Sequence, residues 1–586
     1  MRTKLFPLIT LLFVGFTAGA ILGRRWRGEV ADTVLTFAVL ATGVLLIFIA
    51  ANYLRASSLP TSYLSASFRD GKWVLRLQAV GRLQFFELAI ALPHGWSARP
   101  TEATVPHVRG FVLNRTEAFA VVLFALSLAV YAVTRLVALD QFPIYFFADE
   151  AIEGVLASQL IQRGWRDYQD KLLPLFFNTY GFFNPLISVY FHAAGLLLFG
   201  KSIVVTRGVS AVMTLVGAAA VGLILKSGFR VRYWWAGVLF LAATPVWFLH
   251  SRTAFETAMM VSFYACFLLC YVLYRYRSPR FIFPALVFAA ATFYSYGNGQ
   301  LVIGLTGLLL LFSDLRYHLR NWRTALLGAI LLVVLALPYV QFGRDRPTEA
   351  AYHLRTLNTY LMQQIPLEQK LVQFLGQYVY GFSPQYWFVP NENDLARHRM
   401  KDYGNIALWA LPFFLIGVGI CLRRIKSSAH RLALIAALAA PIGGAITQVA
   451  ITRILTFVVP ASIFATLGLD FLLARLRPRW RSVATAIVFV GISGASLGML
   501  SDALSNGPLW YRDYGLYGMQ WGAKQLFEVI PRYVRQSPDT VVNVTPTWAN
   551  GTDVFLDYFM PKEPRVKFAN VDALIAERQP LSPNMV

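Results

Sequence analysis

The sequence predicts a polytopic α-helical membrane protein with about 13 transmembrane helices, a large first external loop with juxtamembrane helices, and a small external C-terminal α/β segment. The chain has 586 residues, of which 57% are hydrophobic and only 14% are charged. Average soluble domains carry about a quarter charged residues. The composition therefore excludes an ordinary soluble enzyme, a disordered protein and a disulfide-stapled secreted module.

Each predicted span is an apolar stretch near the length that crosses about 30 Å of hydrocarbon. The spans are 4–22, 31–54, 118–139, 203–225, 233–249, 258–274, 281–296, 300–313, 324–341, 405–422, 432–450, 454–474 and 482–500. Their ends are good to a few residues only, and 300–313 is the weakest because it is short.

Basic residues collect in alternate loops between these spans, and this pattern sets the topology. The chain has 53 basic and 30 acidic residues, and in a membrane protein Arg and Lys mark cytoplasmic loops rather than a nucleic-acid partner. The basic loops, which hold Asp314 as their single acid, are 226–232, 275–280, 314–323, 423–431 and 475–481. The positive-inside rule then predicts that 140–202, 341–404 and the tail from about 501 face outside.

The apolar stretch 183–199 lies within the first external loop and has two interpretations. As a further span it would move 140–182 into the cytoplasm. We favour a juxtamembrane helix at the outer surface, because the stretch is short and carries Tyr190 and His192.

Three domains are expected from these patterns. Residues 1–116 form an N-terminal extension with two spans and a partly β region, 55–116. The number of membrane crossings between this region and the basic loops places it in the cytoplasm. Residues 117–500 form the transmembrane catalytic core, and 501–586 an external α/β domain. We expect either that the natural protein continues beyond Val586 or that this end has been cut.

Asp149 and Glu150 are the most informative polar pair, because they begin a helix-like run just after span 118–139. A carboxylate at a helix N-terminus is stabilised as an anion, and near a low-dielectric surface such a group can act as a general base. The alternative is an acidic first turn that only caps a surface helix. Both interpretations stay open at this point.

Further polar residues gather on the predicted outer side, and we take them as candidate substrate-binding residues. They are Lys171, Asn184, Arg252, Glu256, Tyr296, Asn298, Arg397, His398 and Arg453. A single Arg or Lys at the lipid boundary usually snorkels, whereas several on the face that should be poor in positive charge favour a phosphate site.

Two other patterns carry no function here. Gly195–Ser202 matches the phosphate-loop spacing, but it lacks the preceding strand and is predicted outside, away from ATP. Cys266, Cys270 and Cys421 lie in apolar segments, so they offer no disulfide framework and no zinc site.

The order of these features resembles the membrane-embedded GT-C glycosyltransferases, in the bacterial branch similar to protein O-mannosyltransferases and the lipid A aminoarabinose transferase. The resemblance covers about 118–500 and is carried by Asp149-Glu150, Arg207, the Ser251–Glu256 turn and Thr452-Arg453. It implies a polyprenyl-phosphate sugar donor, transfer on the external face, inversion at the anomeric carbon and juxtamembrane helices in the first loop.

The resemblance also implies roles for single residues. Asp149 matches the catalytic base, and Glu150 matches its partner, which orients the acceptor or supports the base. Arg252 and Lys171 are candidates for the leaving lipid phosphate, although Gln169–Pro174 departs from the Glu-Lys-Pro-Pro sequence of the aminoarabinose branch. Arg397-His398 resembles the bacterial branch without an assigned role.

We therefore expect a polyprenyl-phosphate-dependent glycosyltransferase, multi-pass in the inner or plasma membrane, with its active site facing outside or the periplasm. Its partners would be the lipid-linked donor, membrane lipids and a hydroxyl-bearing protein, lipid or polysaccharide, with no nucleic acid. No cofactor is expected, with a divalent metal left open. The alternatives are a transporter or flippase of lipid-linked sugars, which usually places ionisable groups near the membrane midplane, and a non-catalytic envelope assembly factor.

Overall fold

The computed structural model describes three strands between residues 62 and 91 and most of the chain from residue 115 onward. Within 115–586 the residues outside the description are 180, 350–351, 353–354, 356–358, 537–538, 562, 579, 581–584 and 586. The predicted spans 4–22 and 31–54 lie outside the described residues.

The described chain divides into two units, and the first, Val39–Ala125, contains a small antiparallel sheet. Its strands are β1 (Ser62–Arg69), β2 (Lys72–Ala79) and β3 (Phe86–Ala91), joined in the order β1-β2-β3. Two of these strands fall where Trp73–Leu77 and Leu83–Leu88 predict β structure. The cytoplasmic side of this region stays a prediction.

The second unit comprises Leu126–Val586 among the described residues and is mostly helical. Its first part holds α1 (Arg115–Leu136, which begins before the unit), α2 (Ala148–Gln162), β4 (Phe176–Thr179), β5 (Phe182–Pro185), α3 (Ser188–Phe199), α4 (Ile203–Ile224), α5 (Ala236–Ala242), α6 (Pro245–His250), α7 (Glu256–Tyr276), α8 (Ile282–Phe293), α9 (Gly297–Ser313), α10 (Leu315–Arg320) and α11 (Trp322–Asp345).

The rest of this unit continues with shorter helices and the tail. It holds α12 (Leu367–Tyr380), α13 (Pro384–Phe388), α14 (Leu411–Arg423), α15 (Ser428–Ala439), α16 (Ile442–Ile446), α17 (Ile451–Ile454), α18 (Val458–Arg475), α19 (Pro478–Ser505), α20 (Ala523–Gln536), β6 (Val542–Val544), α21 (Asp553–Phe559), β7 (Val566–Phe568) and α22 (Val571–Glu577). Short 3-10 turns lie at Pro279–Phe281, Tyr360–Met362, Ala396–His398, Leu408–Ala410, Leu455–Phe457 and Gly507–Leu509, and a π turn at Leu225–Phe229.

The protein is a multi-pass membrane protein, because seven helical segments in the described residues are long and apolar enough to cross a bilayer. These are Glu117–Leu136, Ile203–Phe229, Glu256–Tyr276, Trp322–Asp345, Ser428–Ile446, Ile451–Arg475 and Pro478–Ser505. Four shorter apolar helices accompany them: Ser188–Phe199, Pro279–Phe293, Gly297–Ser313 and Leu408–Arg423. The total of about 13 spans predicted from hydropathy stays a prediction.

One predicted span, 233–249, is not a continuous helix. It is divided into α5 and α6, and Thr244 between them has extended backbone. Pro245 has no backbone N–H and opens the second helix, so the first cannot run through it. The stretch 183–199 likewise divides, into β5 and the 12-residue α3. A helix of that length is short for a span, which suits the predicted juxtamembrane position.

The membrane helices α14 and α18 pack with unusually close backbones. A side chain on Gly417 would overlap the carbonyl of Phe464, and one on Gly468 would overlap the carbonyl of Phe413. Small residues let membrane helices approach in this way, because dispersion contacts rather than the hydrophobic effect hold them together in lipid.

The tail forms a small α/β layer that packs on α2. Strands β6 and β7 pair in parallel, and the apolar faces of α20 and α21 cover them. Their core is continuous with Ala148, Ala151 and Val155 of α2. Gly154 makes this contact possible, because a Cβ there would lie 2.5 Å from the ring of Tyr558.

Candidate active site

The site is built at the N-terminus of α2, where the chain changes from extended backbone at Phe147 to helix at Ala148. Asp149 and Glu150 therefore lie in the first helical turn, beside unpaired N–H groups that favour negative charge. The two neighbours differ in exposure. Glu150 is fully buried, whereas Asp149 is half-buried.

Glu150 is fully engaged by protein groups. The Nε and Nη2 atoms of Arg207 donate to its two oxygens at 2.7 Å each, and the backbone N–H of Ala254 donates at 2.9 Å. Arg207 also donates to carbonyls of the loop before α2, at Leu139, Pro143 and Tyr145. Breaking a buried pair of this kind typically costs about 3–5 kcal/mol, so this pair anchors α2 to α4.

Arg252 is also committed to protein groups rather than open to a ligand. Its side chain is fully buried, and it donates at 2.8–3.0 Å to carbonyls at and after the end of α1: Thr134, Val137, Ala138 and Phe142. These carbonyls have no partner within the helix. The contacts are those of a helix cap, which differs from the phosphate-binding position expected from the sequence.

Sequence reasoning did not identify Arg135, which is a third buried arginine, after Arg207 and Arg252, that is bound to protein groups. Its Nε donates to Ser251 Oγ at 2.8 Å, and its Nη atoms donate to Thr134 Oγ1 and to the carbonyls of Ala242 and Leu241. The only sequence signal was a basic residue in the last turn of an apolar helix, which usually indicates snorkelling.

Arg397 is the cation that lies beside Asp149. Burial raises the pKa of Asp149 to about 6, the Arg397 guanidinium opposes that rise, and Glu150 adds to it. Arg397 is only 8% exposed, and one of its Nη atoms donates to the carbonyls of Leu516 and Gly518 at 3.3 and 3.1 Å. Its Nε has no hydrogen-bond partner among the described residues.

A second wall of the site comes from α7, α9 and α17. Glu256, at the start of α7, and Tyr296, just before α9, both lie within electrostatic range of Asp149. Arg453 in turn lies within range of Tyr296, and its carbonyl accepts a hydrogen bond from Asn298. The structure therefore brings Glu256 and Tyr296 near Asp149, with Arg453 near Tyr296 and Asn298 bonded to the Arg453 backbone.

His398 lies in an aromatic cluster next to this wall. Its ring stacks on His250 at 5.4 Å and on Phe255 at 6.0 Å, and it meets Phe147 edge-on at 6.1 Å. Burial lowers the pKa of His398 well below its usual value, and the neighbouring His250 and Arg397 act in the same direction. The imidazole is therefore neutral at physiological pH.

Lys171 and Asn184 lie in the loop and hairpin after α2. Lys171 is exposed in a turn whose backbone is held by Asp167, and Asn184 donates to Thr179 Oγ1 at 2.5 Å across the hairpin. Among the described residues, neither side chain forms a hydrogen bond or an ion pair with Asp149.

The described part of the chain offers no group of three or more His, Cys, Asp or Glu side chains arranged to hold a metal ion. Asp149 and Glu256 are close, but Glu150 is turned away to Arg207. What the site presents is the half-buried carboxylate of Asp149 within electrostatic range of the Arg397 guanidinium, and the Arg453 guanidinium within range of the neighbouring Tyr296.

Solved structures with a similar fold include ArnT from Cupriavidus metallidurans bound to undecaprenyl phosphate, at a TM-score of 0.50 and 15% identity, covering 78% of this chain and 90% of that chain. Its apo state matches at a TM-score of 0.50 and 14% identity, with the same coverage. The archaeal oligosaccharyltransferase AglB from Archaeoglobus fulgidus, in complex with an inhibitory peptide and a dolichol-phosphate, has a TM-score of 0.47 at 14% identity, covering 75% of this chain and 64% of that chain.

No protein-family model matches the sequence, and no curated protein does. The likeness to ArnT shows that this chain has the GT-C fold, as the sequence resemblance predicts.

Proposed function

We propose that this protein is a glycosyltransferase that moves a sugar from a polyprenyl-phosphate donor to a hydroxyl acceptor on the external face of the membrane. The observation that carries the proposal is the position of Asp149, a half-buried carboxylate beside Arg397 in a GT-C fold. A solved protein of similar fold binds undecaprenyl phosphate, which supports a lipid phosphate as the donor's leaving group.

In the proposed reaction, Asp149 takes the proton of the acceptor hydroxyl as its oxygen attacks the anomeric carbon. The bond from that carbon to the phosphate oxygen breaks, and the lipid phosphate leaves with the bonding electrons. Attack opposite to the leaving group inverts the anomeric configuration. A pKa of about 6 leaves Asp149 ionised at neutral pH yet still basic enough to accept a proton.

We assign the leaving phosphate to Arg397 and Arg453 rather than to Arg252. Arg397 keeps its Nε free of described partners, and Arg453 is half-buried with one donor on the carbonyl of Gln448. Guanidinium groups are well suited to phosphate because their donors match its oxygens in pairs. Glu150 and Arg252 become positioning residues in this proposal, because their polar atoms are bound to protein groups.

The remaining candidates line the substrate in this proposal. Glu256 and Tyr296 lie near Asp149, Asn298 is bonded to the Arg453 backbone, and all three suit sugar hydroxyls; His398 offers a neutral aromatic ring. Lys171 and Asn184 stay as candidate contacts from the loop after α2.

The test is sugar transfer by the purified full-length protein from a panel of radiolabelled polyprenyl-phosphate sugars to membrane acceptors. Asp149→Asn should lower transfer at least about 100-fold, because it removes the general base. Asp345→Asn is the matched control, since Asp345 is exposed at the end of α11. Wild-type transfer by Asp149→Asn would refute the proposed base, and lipid movement across the bilayer without transfer would favour a flippase.

A further inference from the structure

A buried polar trio lies between α2 and α3, one helical turn beyond Asp149. Its members are Glu153, Ser188 and His192, each fully buried. Ser188 Oγ donates to Glu153 Oε1 at 2.6 Å, and His192 Nε2 lies 3.8 Å from Glu153 Oε2. The second distance is too long for a hydrogen bond.

Among the described residues, no Lys or Arg pairs with Glu153 to balance a negative charge. Arg207 of α4 donates to both oxygens of Glu150 instead. Among the described residues, Glu153 Oε2 and both ring nitrogens of His192 have no hydrogen-bond partner. An unpaired carboxylate in such a place costs several kcal/mol or more, so the group is held as the neutral acid instead.

Glu153 and Asp149 share one face of α2, because side chains four residues apart on a helix are neighbours. The charge of Asp149 acts on Glu153, and both of these carboxyl groups act on Glu256 of α7. The neutral His192 on α3 also faces Glu153. Three carboxyl groups thus gather here, and no Lys or Arg among the described residues forms an ion pair with Glu153.

Burial raises the pKa of Glu153 to about 8, the hydrogen bond from Ser188 opposes the rise, and the charge of Asp149 adds to it. Asp149 ionises lower, with a pKa of about 6. Carboxyl groups whose surroundings separate their pKa values in this way take different roles in acid–base catalysis. Between these two values, Glu153 keeps its proton and Asp149 is the anion.

We propose that Glu153 is a positioning residue whose neutral acid form, enclosed between α2 and α3 without a bound cation among the described residues, leaves Asp149 as the negatively charged member of the carboxyl cluster. This inference rests on the proposed role of Asp149 as the base. Ionised Glu153 would add a second negative charge next to Asp149 and an unpaired charge in the interface between α2 and α3. The transfer reaction should therefore be active only while Glu153 is protonated.

The first test is the pH dependence of kcat/KM for sugar transfer. In the wild type, activity rises as Asp149 ionises near pH 6 and falls as Glu153 ionises near pH 8. Glu153→Gln keeps the shape and the neutral state but cannot ionise, so the fall should disappear while the rise stays. Glu528→Gln, an exposed residue of α20, is the control and should keep both limbs. An unchanged fall in Glu153→Gln would overturn the proposal.

A second variant tests the same point without altering Glu153. Ser188→Ala removes the hydrogen bond that favours the ionised form, so the falling limb should move to higher pH. A falling limb that stays in place, or moves to lower pH, would contradict the proposal.

The third test needs no activity and separates this inference from the proposed function. Infrared difference spectra of the purified protein between neutral and alkaline pH should show loss of a protonated carboxyl band. That band should persist in Asp149→Asn and be absent in Glu153→Gln. If no sugar is transferred by any variant, the proposed function fails while this measurement still reports on Glu153. A wild-type spectrum without the band overturns the inference.

Discussion

At the scale of single residues, the site depends on which charged side chains can still bind a substrate. Those that already form hydrogen bonds to the protein's own backbone cannot. Arg207 donates hydrogen bonds to Glu150 and to backbone carbonyls, and Arg252 donates to backbone carbonyls. Both arginines therefore hold the surrounding chain in place. Arg397 is different, because it is close to Asp149 and keeps a nitrogen without a described partner. Electrostatic stabilisation needs donors fixed in advance but not already saturated.

Arg397→Gln should therefore move the acidic limb of the pH–rate profile to higher pH, by roughly one unit. A cation favours the ionised form of Asp149, so its loss raises the pKa of that carboxyl above about 6 and keeps the base protonated to higher pH. The measurement is kcat/KM for transfer as a function of pH. Arg512→Gln, exposed in the tail segment whose carbonyls Arg397 contacts, is the control and should leave the limb in place. A limb that does not move in Arg397→Gln removes Arg397 from the site.

At the scale of elements, α2 carries the reactive carboxylate and is held on three sides. Arg207 holds its first turn toward α4, α3 packs along its length, and the tail covers its remaining apolar face. The tail contact is tight at Gly154, whose Cβ position lies 2.5 Å from the Tyr558 ring, and Tyr558 also bonds Thr206 of α4 at 2.8 Å.

Gly154→Val should lower both stability and transfer, because the new side chain displaces Tyr558 and moves the tail away from α2. Overpacking of this kind costs about 1–3 kcal/mol, which thermal unfolding in detergent would register as a lower Tm. Gly208→Ala is the matched helical control, since open space surrounds its Cβ position. Equal Tm values for Gly154→Val and the wild type would mean that the tail is not braced against α2 at this point.

At the scale of the whole molecule, the alternation of basic and non-basic loops predicts which face carries the site. The described residues include seven candidate spans but do not by themselves orient the chain in a membrane. The native cysteines Cys266, Cys270 and Cys421 are all buried, so they leave the surface free for labelling.

Arg163→Cys, exposed after α2, should react with a membrane-impermeant maleimide in intact cells. Arg479→Cys, exposed in the first turn of α19 within the basic segment 475–481, should react only after the cells are permeabilised. The opposite pattern would invert the topology and place Asp149 on the cytoplasmic side.

Much of the architecture of this protein could be predicted from its amino-acid sequence. Hydropathy alone identified the multi-pass class, because a bilayer demands long apolar helices whatever the tertiary structure. The Asp149-Glu150 pair was also visible, since it begins a helix-like run just after an apolar span. Pro245, which begins α6 directly after Thr244, is a residue that interrupts helices. The sequence therefore contained evidence of the break, but the uniform hydropathy of 233–249 favoured a single span.

Only the tertiary structure decided what each charged group does. Arg252 and Arg397 have the same side chain, yet Arg252 donates to carbonyls at and after the end of α1, whereas Arg397 lies within electrostatic range of Asp149. Likewise, Glu153 became a candidate only when α3 brought Ser188 and His192 against it without a cation. The reason is physical: whether a buried group is charged, saturated or available depends on partners distant in the chain, which local sequence does not specify.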